Sequence, residues 1–157
     1  MPDMLVKLYN LPDWSSLRIQ LTTQGIDIRR CIAPEKHIVV NWVRQVFGDL
    51  WASETDVAFS NHPVSCYIAT HEKHIIGFGC YDATCRNFFG PTGVAESERG
   101  RGIGKALLLS CLDSMRADGY GYAIIGAAGP TLFYEKAVGA VSIEDSQPGI
   151  YRGMLWT

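Results

Sequence analysis

The residues best suited to chemistry lie in one short glycine-rich segment, residues 99–106, with the sequence RGRGIGKA. A predicted strand, 87–94, precedes the segment, and apolar residues at helical spacing follow it, so a helix begins here and ends near Asp118. Backbone N–H groups at a helix start have no partner within the helix, and the helix dipole adds positive charge. The segment therefore predicts an anion site for a phosphorylated cofactor, with mobile charge from Arg99, Arg101 and Lys105.

Two common phosphate-binding loops do not fit this spacing. A nucleotide-hydrolase loop needs a glycine five residues before its Gly-Lys pair and a hydroxyl residue after the lysine. Arg99 and Ala106 stand at those positions, so magnesium-dependent ATP binding is not favoured. A dinucleotide loop needs G-x-G-x-x-G early in a βαβ unit, whereas Gly100, Gly102 and Gly104 alternate late in the chain.

The spacing Arg-x-x-Gly-x-Gly at Arg99, Gly102 and Gly104 resembles the coenzyme A pyrophosphate loop of the GNAT (N-acetyltransferase) superfamily. The resemblance covers about residue 25 to the C-terminus and implies acetyl-CoA as co-substrate, with no metal. The simpler alternative is a tight turn with solvated arginines, although such turns seldom need three alternating glycines. The implied coenzyme-binding residues are Val94, Arg99, Gly100, Arg101, Gly102, Ile103, Gly104, Lys105 and Phe133.

A second segment, residues 129–136, resembles the family region in which a tyrosine near the start of a late helix protonates the leaving thiolate. This resemblance makes Tyr134 the general acid, and a phenol with a pKa near 10 is protonated at neutral pH. The family often has Asn or Asp in place of Gly129, so Gly129 and Pro130 predict a different entry into this helix. The alternative is an amphipathic tyrosine at the sheet edge with its hydroxyl in water.

The resemblance also implies that strand 87–94 separates from strand 122–128 and opens a slot for the pantetheine arm. Gly90 and Pro91 suit such a distortion, because proline cannot donate to a ladder and glycine tolerates a bulge. The same pair fits an irregular edge strand equally well. A backbone N–H near Val94 is placed to polarise the thioester carbonyl.

The general base is less well defined by the sequence. Many relatives use a glutamate on the strand before the loop, but Asn87, Phe88 and Phe89 occupy that region here. Asp82, at the end of the preceding strand, is the best substitute by position alone. A water held by backbone carbonyls could also serve, and weaker candidates are Glu54, His62 and His74.

The acceptor is expected against residues 34–63, opposite the donor slot, with Trp51, His62 and Phe88 as substrate contacts. Trp42 is assigned instead to the core face of its helix. No cluster of acidic residues or of arginines indicates a particular acceptor. A small primary amine and a protein amine are therefore both compatible with the sequence.

These residues predict an N-acetyltransferase that moves an acetyl group from acetyl-CoA to a primary amine by direct attack in a ternary complex. The alternative is a non-catalytic acetyl-CoA sensor or regulatory module, which the missing strand glutamate favours and Tyr134 opposes. Free thiol release in the presence of amines separates the two.

Size and composition are those of one globular domain. The chain has 157 residues, of which 47% are hydrophobic and 19% charged, with a formal net charge of −2. This balance predicts no general attraction to nucleic acid or membrane. No signal-like apolar region occurs near the start, and the five cysteines form no C-x-x-C pair, so a cytoplasmic protein is expected. A homodimer is possible through the apolar segment 150–156.

The elements that position these residues predict an α+β fold. It has a GNAT-like mixed, mostly antiparallel sheet, helices on both faces and a splayed central strand pair. Residues 1–24 are predicted as an N-terminal extension with a helix over 13–24, and residues 25–157 as the single acetyltransferase domain. An amphipathic helix is expected over 34–47, with Ile38 and Val46 on its buried face. A capping box at Ser53 and Asp56 predicts a further short helix. The other predicted elements are a hairpin (64–70 with 75–83), a late helix (130–139) and a final hairpin (141–143 with 150–156).

Overall fold

The computed structural model describes residues 1–156, and its strands form one sheet in the order β2-β3-β4-β5-β6-β1-β7. Neighbouring strands are antiparallel except β5 and β6, which are parallel. The mixed, mostly antiparallel sheet is therefore confirmed. The strands are β1 Met4–Lys7, β2 Ile26–Arg30, β3 Cys66–His71, β4 His74–Tyr81, β5 Phe88–Val94, β6 Tyr122–Ile125 and β7 Val141–Ser142.

Helices cover both faces of this sheet, as predicted. Successive strand residues point to opposite faces, so β4 contributes Phe78 and Cys80 to one core and Tyr81 to the other. α2 and α3 cover one core, and α1, α4 and α5 contribute to the other. The helices are α1 Ser15–Thr23, α2 Lys36–Phe47, α3 Asp49–Ala58, α4 Ile103–Ala117 and α5 Thr131–Val138.

The helical pair α2 and α3 differs in detail from the sequence prediction. Ile38 is 55% exposed and Val46 is 46% exposed, because the buried face of α2 is centred on Val39, Val40 and Val43 instead. α3 begins directly after Gly48, whose φ of +100° ends α2 and turns the chain. The predicted capping box at Ser53 and Asp56 is wrong, since both residues lie inside α3.

The N-terminal strand β1 lies inside the sheet rather than outside the domain. Each of its residues pairs with β6, from Met4 opposite Ile125 to Lys7 opposite Tyr122, and β7 pairs with its other edge. Met4 and Val6 are completely buried. The helix predicted over 13–24 forms as α1, but the division at residue 24 does not mark a boundary in the sheet.

The predicted C-terminal hairpin is wrong. Only β7 forms from its first arm, and the second arm contains a turn of 3-10 helix, Gly149–Tyr151, instead of a strand. β1 lies between β6 and β7, and the segment after β7 continues as a loop that includes this turn.

The parallel strands β5 and β6 separate after two paired positions. Phe88 pairs with Ile124 and Phe89 with Ile125, after which β6 ends while β5 continues to Val94 against β4 alone. Gly90 has a φ of +121°, and the β4–β5 register shifts opposite it. The splayed central pair is confirmed, and β5 is an interior strand of the sheet rather than an edge strand, with β4 along its length and β6 beside its first two residues.

Candidate functional site

The glycine-rich loop presents a continuous row of backbone donors. Among the described residues, the N–H groups of residues 100 to 105 donate to no acceptor, whereas Arg99 N donates to Glu96 O at 3.4 Å and Ala106 N to Gly102 O at 3.0 Å. Gly100 and Gly102 have φ values of +82° and +83°, so the chain turns sharply into α4. The row of donors at the positive end of a fifteen-residue helix suits an anion.

The three cations beside this loop are not equivalent. Arg99 is exposed, and its Nε donates to the carbonyl of Val94 at 3.2 Å, which ties the loop to the end of β5. Arg101 is held by Glu98 at 2.6 Å and by Gln24 at 3.0 Å, so its charge is anchored rather than mobile. Lys105 has no acidic partner within 4.0 Å among residues 1–156.

Replacing Arg99 by alanine is expected to weaken coenzyme A binding by about 3- to 10-fold at low salt, and by less at high salt. The side chain is exposed, and charge attraction at the surface is small and screened by ions. Calorimetric titrations at two salt concentrations measure the effect. An equal loss at both concentrations would show a desolvated contact instead.

The glycines of the loop serve two different purposes. A Cβ on Gly102 would lie 2.7 Å from Leu17 of α1, closer than the packing allows, whereas a Cβ on Gly104 would meet only Val94, at an ordinary 3.7 Å. Gly102 thus permits α1 to pack against the loop. Gly104 leaves space beside the unpaired N–H groups.

Replacing Gly102 by valine is expected to lower the free energy of unfolding by about 1–3 kcal/mol, because a branched residue is strained at this positive φ and collides with Leu17. Chemical denaturation measures the loss. Combining the change with Leu17→Ala relieves the collision, so the double variant should lose less stability than the two single variants added together. A loss in the double variant equal to that sum would contradict this packing.

Tyr134 lies on α5 and packs against β5. It is 6% exposed, and its ring packs edge-on against Phe89, with centroids 6.4 Å apart, and against Phe133, at 5.1 Å. Its hydroxyl has no hydrogen-bond partner among the described residues. Burial raises the pKa of Tyr134 to about 12. The phenol therefore stays protonated at neutral pH and has a proton to donate.

The opposite face of β5 carries a second group of side chains. A Cβ on Gly126, the residue after β6, would lie 2.6 Å from the Tyr151 hydroxyl and 2.9 Å from the Phe88 ring. Glu54 of α3 accepts a hydrogen bond from Thr84 Oγ1 at 2.5 Å. Burial raises the pKa of Glu54. Burial also raises the pKa of Tyr151 to about 12, and the negative charge of Glu54 acts in the same direction. Sequence reasoning missed Tyr151, which follows no motif.

Asp82 has a different environment from the one that a free base would need. Its Oδ1 accepts from the backbone N of Asn87 at 2.8 Å, and its Oδ2 accepts from the Tyr120 hydroxyl at 3.1 Å. Asp82 itself has a positive φ of 50°. These contacts hold the β4–β5 loop, so the carboxylate has a structural task at this position.

The remaining candidates are scattered. Trp51 packs against Phe47 and Phe78, with ring centroids 5.1 Å and 6.1 Å apart, and so belongs to an aromatic cluster under α2 and α3. His62 lies exposed in the loop before β3, and His74 lies exposed at the start of β4. Of the three predicted substrate contacts, the structure places Phe88 at the gap between β5 and β6.

This geometry places a row of unpaired loop amides beside a gap in the sheet, an arrangement that suits a phosphorylated ligand. The family model described as "Acetyltransferase (GNAT) family" matches residues 36–140 of the 157. The chain belongs to that family of acetyltransferases.

Solved structures with the same fold have low sequence identity to the chain. A glucosamine N-acetyltransferase region of a fungal multi-domain GH3 beta-N-acetylglucosaminidase has a TM-score of 0.74 and 14% identity, over 90% of this chain and 19% of that one. A GCN5-related N-acetyltransferase from Sphaerobacter thermophilus has a TM-score of 0.69 and 22% identity, over 90% of this chain and 48% of that one. A GCN5-related N-acetyltransferase from Kribbella flavida has a TM-score of 0.56 and 13% identity, over 90% of this chain and 53% of that one. The chain thus spans about a fifth to a half of these proteins.

No curated protein sequence matches the chain significantly. Among residues 1–156, none of the helices combines the length and apolar character needed to cross a bilayer.

Proposed function

We propose that the protein transfers an acetyl group from acetyl-CoA to a primary amine by direct attack in a ternary complex. The observation that carries the proposal is the row of unpaired N–H groups at residues 100–105, beside a gap between β5 and β6. Family membership supports acetyl transfer in general.

The residues present fit coenzyme A. The unpaired loop amides and the exposed Arg99 suit its pyrophosphate, and the missing side chain at Gly104 leaves room for close approach. The gap beyond Phe89 and Ile125 suits the pantetheine arm, since β5 has no sheet neighbour on that side. When bound, acetyl-CoA supplies an acetyl group activated as a thioester.

The end of β5 supplies a donor for the acetyl carbonyl. Ala95 N donates to Ile76 O of β4 at 2.8 Å, and N–H groups along a strand alternate in direction. The N–H of Val94 therefore points away from β4, toward the gap. A fixed backbone donor in that position stabilises negative charge as it develops on the carbonyl oxygen.

Tyr134 stabilises the departing sulfur. A phenol with a pKa of about 12 is a weaker acid than a simple thiol, whose pKa is about 8.5. Complete transfer of the proton from Tyr134 to the thiolate is therefore uphill by itself. Its hydroxyl first acts as a hydrogen-bond donor to the developing thiolate. The attacking amine also gives up a proton, and this proton replaces the one that Tyr134 passes to the sulfur. The overall reaction therefore leaves a neutral thiol and a protonated Tyr134.

An amine-panel assay tests this proposal. Acetyl-CoA is incubated with glucosamine, butane-1,4-diamine, phenethylamine or a tetrapeptide with a free N-terminus, and free thiol is measured. Glucosamine is included because a structural neighbour is described as acting on it. Amine-dependent thiol release is the expected result. Tight binding without release would favour the sensor function, and no coenzyme A binding would contradict the assignment of the loop.

A further inference from the structure

We propose that Tyr151, from the segment after β7, contacts the acceptor amine through its hydroxyl, and that Asp3, just before β1, positions Tyr151 for this contact. The inference rests on the proposed function, because it needs the gap between β5 and β6 as the place where the two substrates meet. Hydrogen bonds and close contacts beside that gap join the two residues to it.

Tyr151 reaches the gap directly. A Cβ placed on Gly126 would lie 2.6 Å from the Tyr151 hydroxyl and 2.9 Å from the Phe88 ring, so these two side chains fill the space above this glycine. Gly126 comes directly after Ile125, the last residue of β6 that pairs with β5. The Tyr151 hydroxyl therefore lies at the closed end of the gap.

The two faces of the gap differ in their access to solvent. Phe89 faces Tyr134, whereas Phe88, the residue before it on β5, faces Tyr151. Successive strand residues point to opposite faces, so the two tyrosines lie on opposite faces of the sheet. Tyr134 is only 6% exposed, whereas Tyr151 is partly exposed. The acceptor therefore reaches the gap from the face of Tyr151.

The Tyr151 hydroxyl is available to a ligand. It forms no hydrogen bond with any of residues 1–156, whereas the hydroxyls of Tyr67, Tyr81 and Tyr120 all have partners. A phenol oxygen accepts a hydrogen bond from an N–H group, and a ring edge offers apolar surface to the carbon atoms beside it. A hydrogen bond from the amine to Tyr151 would hold the nitrogen at the closed end of the gap.

Asp3 fastens three segments to one another beside this end of the gap. Its Oδ1 accepts from Ala127 N at 2.8 Å, in the loop after β6. Its backbone N donates to Ser146 Oγ at 2.8 Å, and its carbonyl accepts from Ile143 N at 2.8 Å. Ser146 Oγ donates in turn to Ile143 O at 2.7 Å. Asp3 thus ties the segment after β7 to the loop that contains Gly126.

The same residue lies against the turn that carries Tyr151. A Cβ on Gly149 would lie 3.3 Å from Asp3 Oδ2, and Gly149 begins the 3-10 turn that ends at Tyr151. Met4, the next residue after Asp3, is paired with both β6 and β7, which fixes Asp3 between the two segments. Asp3 is therefore a positioning residue that acts through Tyr151.

The test compares Tyr151→Phe, Asp3→Ala and Asp3→Asn with the control Tyr122→Phe. Phenylalanine keeps the ring and removes the hydroxyl, and asparagine keeps a side-chain oxygen for Ala127 N, which alanine lacks. Tyr122 is a matched control because it lies at the opposite end of β6, exposed and packed against Tyr9. Each variant is assayed with the amine of the panel that the wild type acetylates fastest.

Y151F is expected to raise the KM of the amine about 5- to 20-fold while kcat stays within about threefold, because the hydrogen bond is present both in the bound amine and during attack. The Kd of the same amine, by saturation-transfer NMR without acetyl-CoA, is expected to rise in proportion. Coenzyme A affinity, by calorimetry, is expected to stay within about twofold. Y122F is expected to match the wild type in all three measurements.

D3A is expected to raise the KM of the amine about 3- to 20-fold, and D3N to recover most of that loss. In the Y151F background, D3A is expected to raise this KM by less than about twofold further, because the contact that it positions is already absent. Full multiplication of the two effects would show a purely structural Asp3 and overturn its positioning role.

Chemical denaturation verifies that each variant is folded. Y151F removes no hydrogen bond to residues 1–156, so it tests the contact even where D3A unfolds. Wild-type turnover with an unchanged amine KM in Y151F overturns this inference alone, as does an equal rise in Y122F. Failure of the wild type to acetylate any of the four amines overturns the proposed function and this inference together.

Discussion

Replacing Gly104 by valine is expected to weaken coenzyme A binding about 100-fold or more, a loss of roughly 2.7 kcal/mol, without a large loss of stability. The position is helical with an ordinary φ, and an added Cβ would meet only Val94, at 3.7 Å. The fold therefore accepts the side chain. The same branched side chain would stand beside the unpaired N–H groups that the pyrophosphate must approach.

Calorimetric titration with coenzyme A measures the affinity, and thermal unfolding verifies that the variant is folded. Gly121→Val is the matched control, because Gly121 has open space around it, lacks a positive φ and lies outside the loop. Unchanged affinity in G104V would show that the ligand does not approach this helix start. Equal weakening in G121V would show that a general effect of the substitution is responsible.

Replacing Tyr134 by phenylalanine is expected to lower kcat about 100- to 1000-fold while coenzyme A affinity stays within about threefold. Phenylalanine preserves the edge-on packing against Phe89 and Phe133 and removes only the hydroxyl. That hydroxyl has no partner among the described residues, so its loss leaves no protein group unsatisfied. Amine-dependent thiol release measures kcat. Full activity in Y134F would exclude the residue as the proton donor.

The pH profile gives an independent check on Tyr134. A donor must be protonated, and the raised pKa of about 12 keeps the phenol protonated until strongly alkaline pH. Loss of activity from deprotonation of Tyr134 is therefore expected only as the pH approaches 12. A fall centred near pH 8 that disappears in Y134F would show a phenol with a lowered pKa in the complex.

The parts of the site that sequence reasoning located are encoded locally. The alternating glycines from Gly100 to Gly104 occupy the turn into α4, as their backbone freedom requires. The apolar residues at helical spacing after the loop predicted this helix, and Leu107, Cys111 and Met115 among them are fully buried. Such patterns depend on neighbours a few residues away, so they can be found without the fold.

The parts that it missed depend on pairing between distant segments. Nothing local in Met4–Lys7 indicates that it pairs with β6, more than a hundred residues away, or that it separates β6 from β7. The approach of the Tyr151 hydroxyl to Gly126 likewise joins two segments that are distant in the sequence.

The loop amides themselves provide the most direct measurement. Two-dimensional ¹H–¹⁵N NMR of the labelled protein follows the N–H signals of residues 100–105 during titration with coenzyme A. We expect these signals to exchange rapidly with solvent in the free protein, and to shift and become protected together on binding. Signals that are already protected before ligand is added, or that stay unmoved at saturation, would contradict the proposal that this loop holds the pyrophosphate.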